Sequence, residues 1–281
     1  MRVMSATALA PPATAAAPRA AHLFMCPPSH FGVAYRINPW MDPARPVDVA
    51  RAMAEWERLA ATYRAAGHEV TVARPTPGLP DMVFTANAGV VYGGRVLLAT
   101  FRFAERQPEA RAYAEAFRAA GYTDITVAAY ANEGQGDYLF AGDDVLGASG
   151  FRTDPRSHAE VAEFTGRRVV GLELVDPRFY HLDTALAVLG DGLVAYWPGA
   201  FSAASNGVLA ELFPDAIVAT EADAAAFGLN AWCDGRTAVL SAGAPRLSAA
   251  IRERGLATIE LDASELQKAG GSVKCCTLEV R

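Results

Sequence analysis

One structural unit recurs along this chain, and so regular a period leaves few folds open. Pro108 to Ala120 reads as a helix stopped by Gly121. "DITVAA" follows as a strand and "DYLFAGDDVLGAS" as a hairpin turning near Gly142–Asp144. The same order runs from the helical spacing of Val47–Ala66 through "EVTVA" to "AGVVYGGRVLLAT". A third copy starts near Pro155 and ends in "TALAVLGDGLVAYW". A fourth runs from about Ser205 through "AIVAT" to "NAWCDGRTAVLSA". The fifth begins at Arg246, passes "LATIEL" and ends in "VKCCTLEV", with no second hairpin strand of its own. "HLFMC" (His22–Cys26) is free to supply one. Five copies at a period of about 45 residues, closed by the first strand, predict radial repetition. The expected fold is α/β: a five-bladed α/β propeller built from five helix-strand-hairpin repeats, as a single domain over 21–281.

The remaining composition is that of an ordinary globular chain. Of 281 residues, 52% are hydrophobic and 20% charged, and the net charge of −6 argues against a nucleic-acid partner or a polybasic membrane surface. No apolar run is long enough to cross a bilayer. Residues 1–20 are mostly Ala, Pro and Thr, and Pro11, Pro12 and Pro18 interrupt any apolar stretch that a secretory signal would need. They read as a disordered leader, or as a start placed too early. With no signal and four cysteines in no C-x-x-C spacing, the expected compartment is the reducing cytoplasm, and a structural zinc site is not expected. Neither a phosphate-binding loop, a dinucleotide fingerprint nor a serine elbow is present.

In a radial fold the loop between each unit's strand and hairpin meets the central axis. Those loops hold Asp81 and Asn87, then Glu133, then His181 and Asp183, and last Cys275. Each residue also has an ordinary structural reading. Cys275 and Cys276 could both be small buried hydrophobes; read as a strand, the segment turns Cys275 to the axis and Lys274 and Cys276 away. Cys26 and Cys233 stay with the structural reading. His181 and Asp183, read as a strand entrance, fall on one face, where a histidine can serve as acid or base; the bland alternative is a half-buried histidine satisfied by Asp183. His22, His30, His68 and His158 read as surface or turn residues. Glu133 stands before Gly134 and Gly136, which let a loop turn inward; it could equally be a solvated acidic turn. Asn87 could be a turn residue before Gly89 or an amide offered to a ligand. Arg106 and Arg152 are the arginines best suited to a substrate carboxylate, though any single arginine is more often a surface charge.

"PDMVFTANAG", "EGQGD", "RFYHLDTAL" and "AGGSVKCCTLEV", in this order, resemble the guanidino-modifying enzymes of the pentein superfamily. "LFMCPPSHFGVAYRINPWM" and "ERQ" are most similar to the arginine dihydrolase branch, and the resemblance runs from about residue 22 to the end. It implies a five-bladed α/β propeller and a covalent Cys–His–Glu mechanism with no metal or cofactor. Cys275 would be the nucleophile, His181 the general acid/base and Glu133 the guanidinium-holding carboxylate. Asp183 and Asn87 would add guanidinium contacts, Arg106 and Arg152 would bind the substrate carboxylate, and Asp81 and Asn38 would help hold the amino-acid end. Two departures stand out: Asn132 where related sequences carry an aromatic or aliphatic residue, and "GGS" in place of a full glycine triplet. Some dihydrolases continue into a second domain; this chain stops after the cysteine strand.

Asn87 separates the candidate chemistries. Related deiminases and dimethylaminohydrolases carry Asp there, and an ionised Asp only accepts hydrogen bonds. Asn can also donate, so a neutral ureido product could stay bound for a second attack. The leading expectation is therefore arginine dihydrolase, arginine giving ornithine, carbon dioxide and two ammonia. The alternatives are a dimethylarginine dimethylaminohydrolase or a deiminase stopping at citrulline, and outside enzymes a binding-only pentein. The expected partner is a small molecule, arginine or a methylated arginine. The sequence leaves the oligomeric state open, a homo-oligomer included.

Overall fold

The computed structural model describes residues 20–281; the leader expected over 1–20 lies almost wholly outside them. The chain enters as strand β1 (His22–Met25). Helix α1 (Val49–Ala65), begun by Asp48, whose side chain accepts the Arg51 N–H, leads to β2 (Glu69–Val72) and the hairpin β3 (Gly89–Tyr92) and β4 (Arg95–Leu98). Helix α2 (Gln107–Ala119), β5 (Ile125–Val127), β6 (Tyr138–Ala141) and β7 (Asp144–Ser149) repeat that order. So do α3 (Ser157–Thr165), β8 (Val169–Glu173), the one-turn α4 (Leu182–Ala185), β9 (Leu186–Gly190) and β10 (Leu193–Tyr196). The fourth copy is α5 (Ala203–Leu212), β11 (Ile217–Val218), the short α6 (Glu221–Ala225), β12 (Trp232–Cys233) and β13 (Thr237–Ser241). The fifth is α7 (Pro245–Glu253), β14 (Ala257–Leu261) and β15 (Leu278–Val280).

Pairing follows one rule in every copy. The hairpin strands run antiparallel, and the strand after the next helix joins parallel to the second of them, as in β6–β7–β8, β9–β10–β11 and β12–β13–β14. The terminal copy closes as expected: β15 pairs antiparallel with β1, His22 opposite Val280, and β1 pairs parallel with β2. Its neighbour triplet β3–β4–β5 is joined to it through the single pair Val280–Val91, which makes one six-stranded sheet beside three three-stranded ones.

The apolar core lies between neighbouring triplets. Val90 and Leu97 meet Tyr138, Phe140 and Val145 in one wedge; Phe24, Val91, Leu98, Phe117 and Leu278 form another, with Phe24 stacked on Phe117 at 4.8 Å. The hairpin strands are mostly buried, β6 throughout, whereas β2 and β5 at the outer edges are partly exposed, and the loops are left to point inward. "VKCC" is not strand: the backbone turns through Val273–Cys276, Cys276 N–H reaches Ser272 O at 3.2 Å, and β15 begins only at Leu278. His181 likewise precedes a helical turn, not a strand. Alternation therefore assigns no side-chain direction at either place. His68 is buried against Trp232 and 3.5 Å from Asp234, and His158 is half-buried against Tyr138; neither is the surface residue the sequence suggested.

Truncating a fully buried ring removes transfer energy and leaves a cavity. Phe117→Ala is expected to destabilise the fold by about 3–5 kcal/mol, whereas Val127→Ala, 60% exposed, should stay within about 0.5 kcal/mol; urea unfolding of both variants checks the contrast.

Candidate active site

The loops preceding the hairpins converge on a buried polar cluster. "EGQGD" places Glu133 there because its glycines permit contacts no other residue would. Gly134 has φ +55°, and a Cβ on it would lie 2.5 Å from the Gly89 nitrogen; one on Gly136 would lie 2.2 Å from Asn87 Nδ2 and 3.2 Å from His181 Nδ1. Asn132, the departure from the family pattern, serves the turn, its Oδ1 accepting the Gly134 N–H at 3.2 Å.

Glu133 is the electrostatic centre. It has no exposed surface, and its Oε2 accepts from Arg152 Nη1 at 2.8 Å and from His181 Nε2 at 2.9 Å, with Arg106 Nη1 at 3.7 Å. Burial alone would raise its carboxyl. The Arg152 guanidinium, His181 and Arg106 together outweigh that and hold it well below the usual range. An ionised carboxylate accepts only, so His181 Nε2 carries the proton and Nδ1, buried and without a partner among the described residues, is the free ring nitrogen. Asp137 fixes the same histidine loop: its Oδ1 accepts the Leu182 N–H at 3.1 Å and its Oδ2 the Thr153 hydroxyl at 2.7 Å, and burial raises its carboxyl to about 6.

Cys275 is buried, 2% exposed. Its thiol donates to Asp183 Oδ2 at 3.3 Å, and Asn230 Nδ2 donates to its sulfur at 3.1 Å. Burial, then the Asp183 carboxylate, pushes the thiol well above its ordinary value. Burial also raises Asp183, to about 7, against the opposing pull of Lys274. Lys274 does not point out to solvent. Its ammonium is buried, donating to Gln135 Oε1 at 3.2 Å and to Thr277 O at 2.9 Å, which ties the cysteine turn to the Glu133 loop.

The other expected residues divide. Asn87 joins the cluster, its Oδ1 accepting from Arg106 Nη1 at 2.9 Å and its Nδ2 donating to Glu133 O at 3.3 Å. Asp81 joins it too, accepting the Tyr35 hydroxyl at 2.8 Å, with Arg106 Nε at 3.8 Å. Arg106 and Arg152, expected to await a substrate carboxylate, are engaged by protein acids instead. Arg106 forks onto Glu109 at 2.9 and 2.8 Å, and Arg152 bonds Glu133 and Ile37 O between the rings of Phe103 and Tyr180. Asn38 is spent on structure: Oδ1 accepts the Trp40 and Met41 N–H groups and Nδ2 donates to Ala269 O. Sequence reasoning missed Tyr35, Glu109, Asp137 and Asn230. The i, i+3 spacing of Arg106 and Glu109 at a helix start was a usable signal for one of them.

The cluster gathers Asp81, Glu109, Glu133, Asp137 and Asp183 against Arg106, Arg152, Lys274 and His181, five acids to four basic groups. Asp81 Oδ1, Glu133 Oε1 and Asp183 Oδ1 are buried without a hydrogen-bond partner among the described residues. Buried acceptors are normally satisfied, so the arrangement favours a planar cation rich in N–H donors.

Comparison with known proteins agrees. A family model described as "N,N dimethylarginine dimethylhydrolase, eukaryotic" matches residues 38–281. A Mycobacterium tuberculosis protein named N(G),N(G)-dimethylarginine dimethylaminohydrolase is 54% identical over 94% of this chain and 87% of its own. The Synechocystis bifunctional arginine dihydrolase/ornithine cyclodeaminase ArgZ is 38% identical over 92% of this chain and 37% of its own. The N-terminal domain of ArgZ, solved bound to substrate, superposes with a TM-score of 0.89 at 36% identity, covering 92% of this chain and 98% of that domain. Fold and site thus define a pentein-type guanidino-modifying enzyme. The chain belongs to the dimethylarginine dimethylaminohydrolase family, near the arginine dihydrolases, and is a hydrolase of that type acting on guanidino groups.

Two outcomes test the geometry. Gly136→Ala forces Asn87 and His181 aside and should lower kcat/KM by about 100-fold while the protein stays folded; steady-state kinetics and a melting curve check it. Folded Asp183 keeps its proton to about 7, whereas an unfolded carboxyl loses it near 3.8. Asp183 therefore subtracts stability increasingly as pH rises between those values. Asp183→Asn should raise Tm more at pH 8 than at pH 5, and an equal change at both would contradict the assignment.

Proposed function

We propose that the chain hydrolyses the guanidino group of a methylated arginine through a covalent Cys275 intermediate, giving citrulline and dimethylamine, on a five-bladed propeller whose blades are the five strand triplets. The observation that carries the chemistry is the set of unpartnered oxygens on Asp81, Glu133 and Asp183 in the cluster that holds Cys275. The 54% identity to a protein named for dimethylarginine favours the methylated substrate over the dihydrolase reaction that leads the sequence reading.

In this reading Glu133 and Asp183 hold the guanidinium, with Asn87 beside them. Arg106 and Arg152, keeping their bonds to Glu109 and Glu133, lend their positive charge to the substrate carboxylate, and Asp81 and Asn38 flank the amino-acid end. The arriving cation favours the thiolate, and the free Nδ1 of His181 takes the thiol proton, which leaves Asp183 ionised against the cation. Sulfur bonds to the guanidinium carbon. Protonated His181 gives its proton to the dimethylamino nitrogen, and that C–N bond breaks, leaving a thiouronium on Cys275. His181 then takes a proton from water as the oxygen bonds to carbon. The C–S bond breaks as the hydroxyl proton passes to solvent, where the released dimethylamine takes it up, returning thiolate and the ureido product.

A second reading is carried by Asn87. Its amide is neutral and can both donate and accept, so citrulline could be attacked again. Ammonia would leave with a proton from His181, and water would cleave the carbamoyl thioester to carbamate, which loses carbon dioxide to give ornithine. Incubation of the purified protein with asymmetric dimethylarginine and, separately, arginine decides between them. The expected result is equal dimethylamine and citrulline from the first. Ornithine from the second would establish the two-step reading, and no product from either would defeat both.

A further inference from the structure

The sequence places reactive residues in the hub loops of four repeats and leaves the loop of the fourth empty. In the structure that loop, between α6 and β12, presents Asn230, which is fully buried. Its contacts are specific. Ser272 N–H at 3.0 Å and Cys275 N–H at 3.1 Å both donate to one end of the side chain, which must therefore be the oxygen. The other end is the NH₂, and it donates to Asp183 O at 2.9 Å and to the Cys275 sulfur at 3.1 Å. Among the described residues no other side chain donates to that sulfur.

We propose that Asn230 is a further catalytic residue: its N–H group stabilises Cys275 as thiolate, and its carbonyl clamps the turn that carries the sulfur. This rests on Cys275 being the nucleophile. The need is physical. Burial, Asp183 and Cys276 all disfavour the anion, the Tyr180 hydroxyl adds no countercharge, and Lys274 is the neighbouring cation but spends its bonds on Gln135 and Thr277. A hydrogen bond to an ionised partner is worth about twice a neutral one. The loop is built to hold this geometry. Phe227 sits at φ +57°, unusual for an aromatic residue, packs on Trp40 at 4.7 Å, and accepts the Asn230 N–H at 3.1 Å. The clamp also links Cys275 to the Asp183 backbone, so one amide sets the position of the sulfur relative to the histidine loop.

Alkylation of Cys275 by iodoacetamide across pH, followed by peptide mass spectrometry, tests the proposal. Asn230→Asp keeps the acceptor and loses the donor; Asn230→Ala loses both without adding charge. Each is expected to slow alkylation at pH 7.5 by about tenfold, with the midpoint moved upward and kcat falling in step. An unchanged midpoint in either variant, with its melting curve intact, overturns the proposal. In the wild-type protein the ¹⁵N side-chain resonance of Asn230 should shift with the Cys275 midpoint, a readout that needs no variant to fold; a resonance unmoved through that titration also overturns it. Cys275→Ser separates the two claims. Full turnover in that variant would defeat the nucleophile while leaving the Asn230–sulfur contact to be judged by the other two measurements.

Discussion

A carboxylate with no exposed surface cannot remain ionised without partners, and Glu133 shows how this protein meets that constraint. Arg152, His181 and Arg106 surround one oxygen. Removing a single partner of a buried ion pair typically costs several kcal/mol, so the groups stand or fall together. Their mutual dependence fixes the histidine tautomer, aligns the loops of separate repeats and leaves the second oxygen of Glu133 unsatisfied. Cation recognition here is a consequence of an acid surplus that the protein's own bases do not neutralise.

The fold makes such a centre possible by sending apolar residues outward between triplets and loops inward. Strands of two to six residues are enough, because each triplet needs only to anchor one loop. The glycines at 134 and 136 show how tight the centre is: a side chain at 136 would displace Asn87 and His181, and one at 134 would strike the backbone of Gly89 and Ala86. Cys275 sits in a place unfavourable to its anion, buried against Asp183, which holds it as a thiol.

Much of this was legible in the sequence because it is periodic. Helix, strand and hairpin recur with boundaries within a few residues, and closure of the last hairpin by His22–Met25 follows from counting strands. Glu133, His181, Asp183 and Cys275 stand at equivalent points of the repeats, and the structure buries all four in the loops before the hairpins. What escaped depends on local geometry or on partners far along the chain. The cysteine doublet looked like strand, since its residues are apolar and β15 follows directly, but Asn230 takes the Cys275 N–H and turns the backbone. Strand alternation would turn Lys274 away from the axis; in the turn that forms instead, Gln135, 139 residues away, gives it a buried partner. His68 and Asp234 lie in different repeats, and nothing local marks them as neighbours. Arg106 and Arg152 were assigned by charge, while their present bonds depend on acids whose burial the sequence does not display.

The covalent role of Cys275 at an acid-rich hub is the claim on which the remainder turns. Rapid quenching of the enzyme during turnover, followed by mass spectrometry of the peptide containing Cys275, measures it directly. The expected result is a transient adduct on Cys275 with the mass of the substrate less its leaving amine. A quenched, actively turning-over enzyme whose adduct lies on another residue would contradict it.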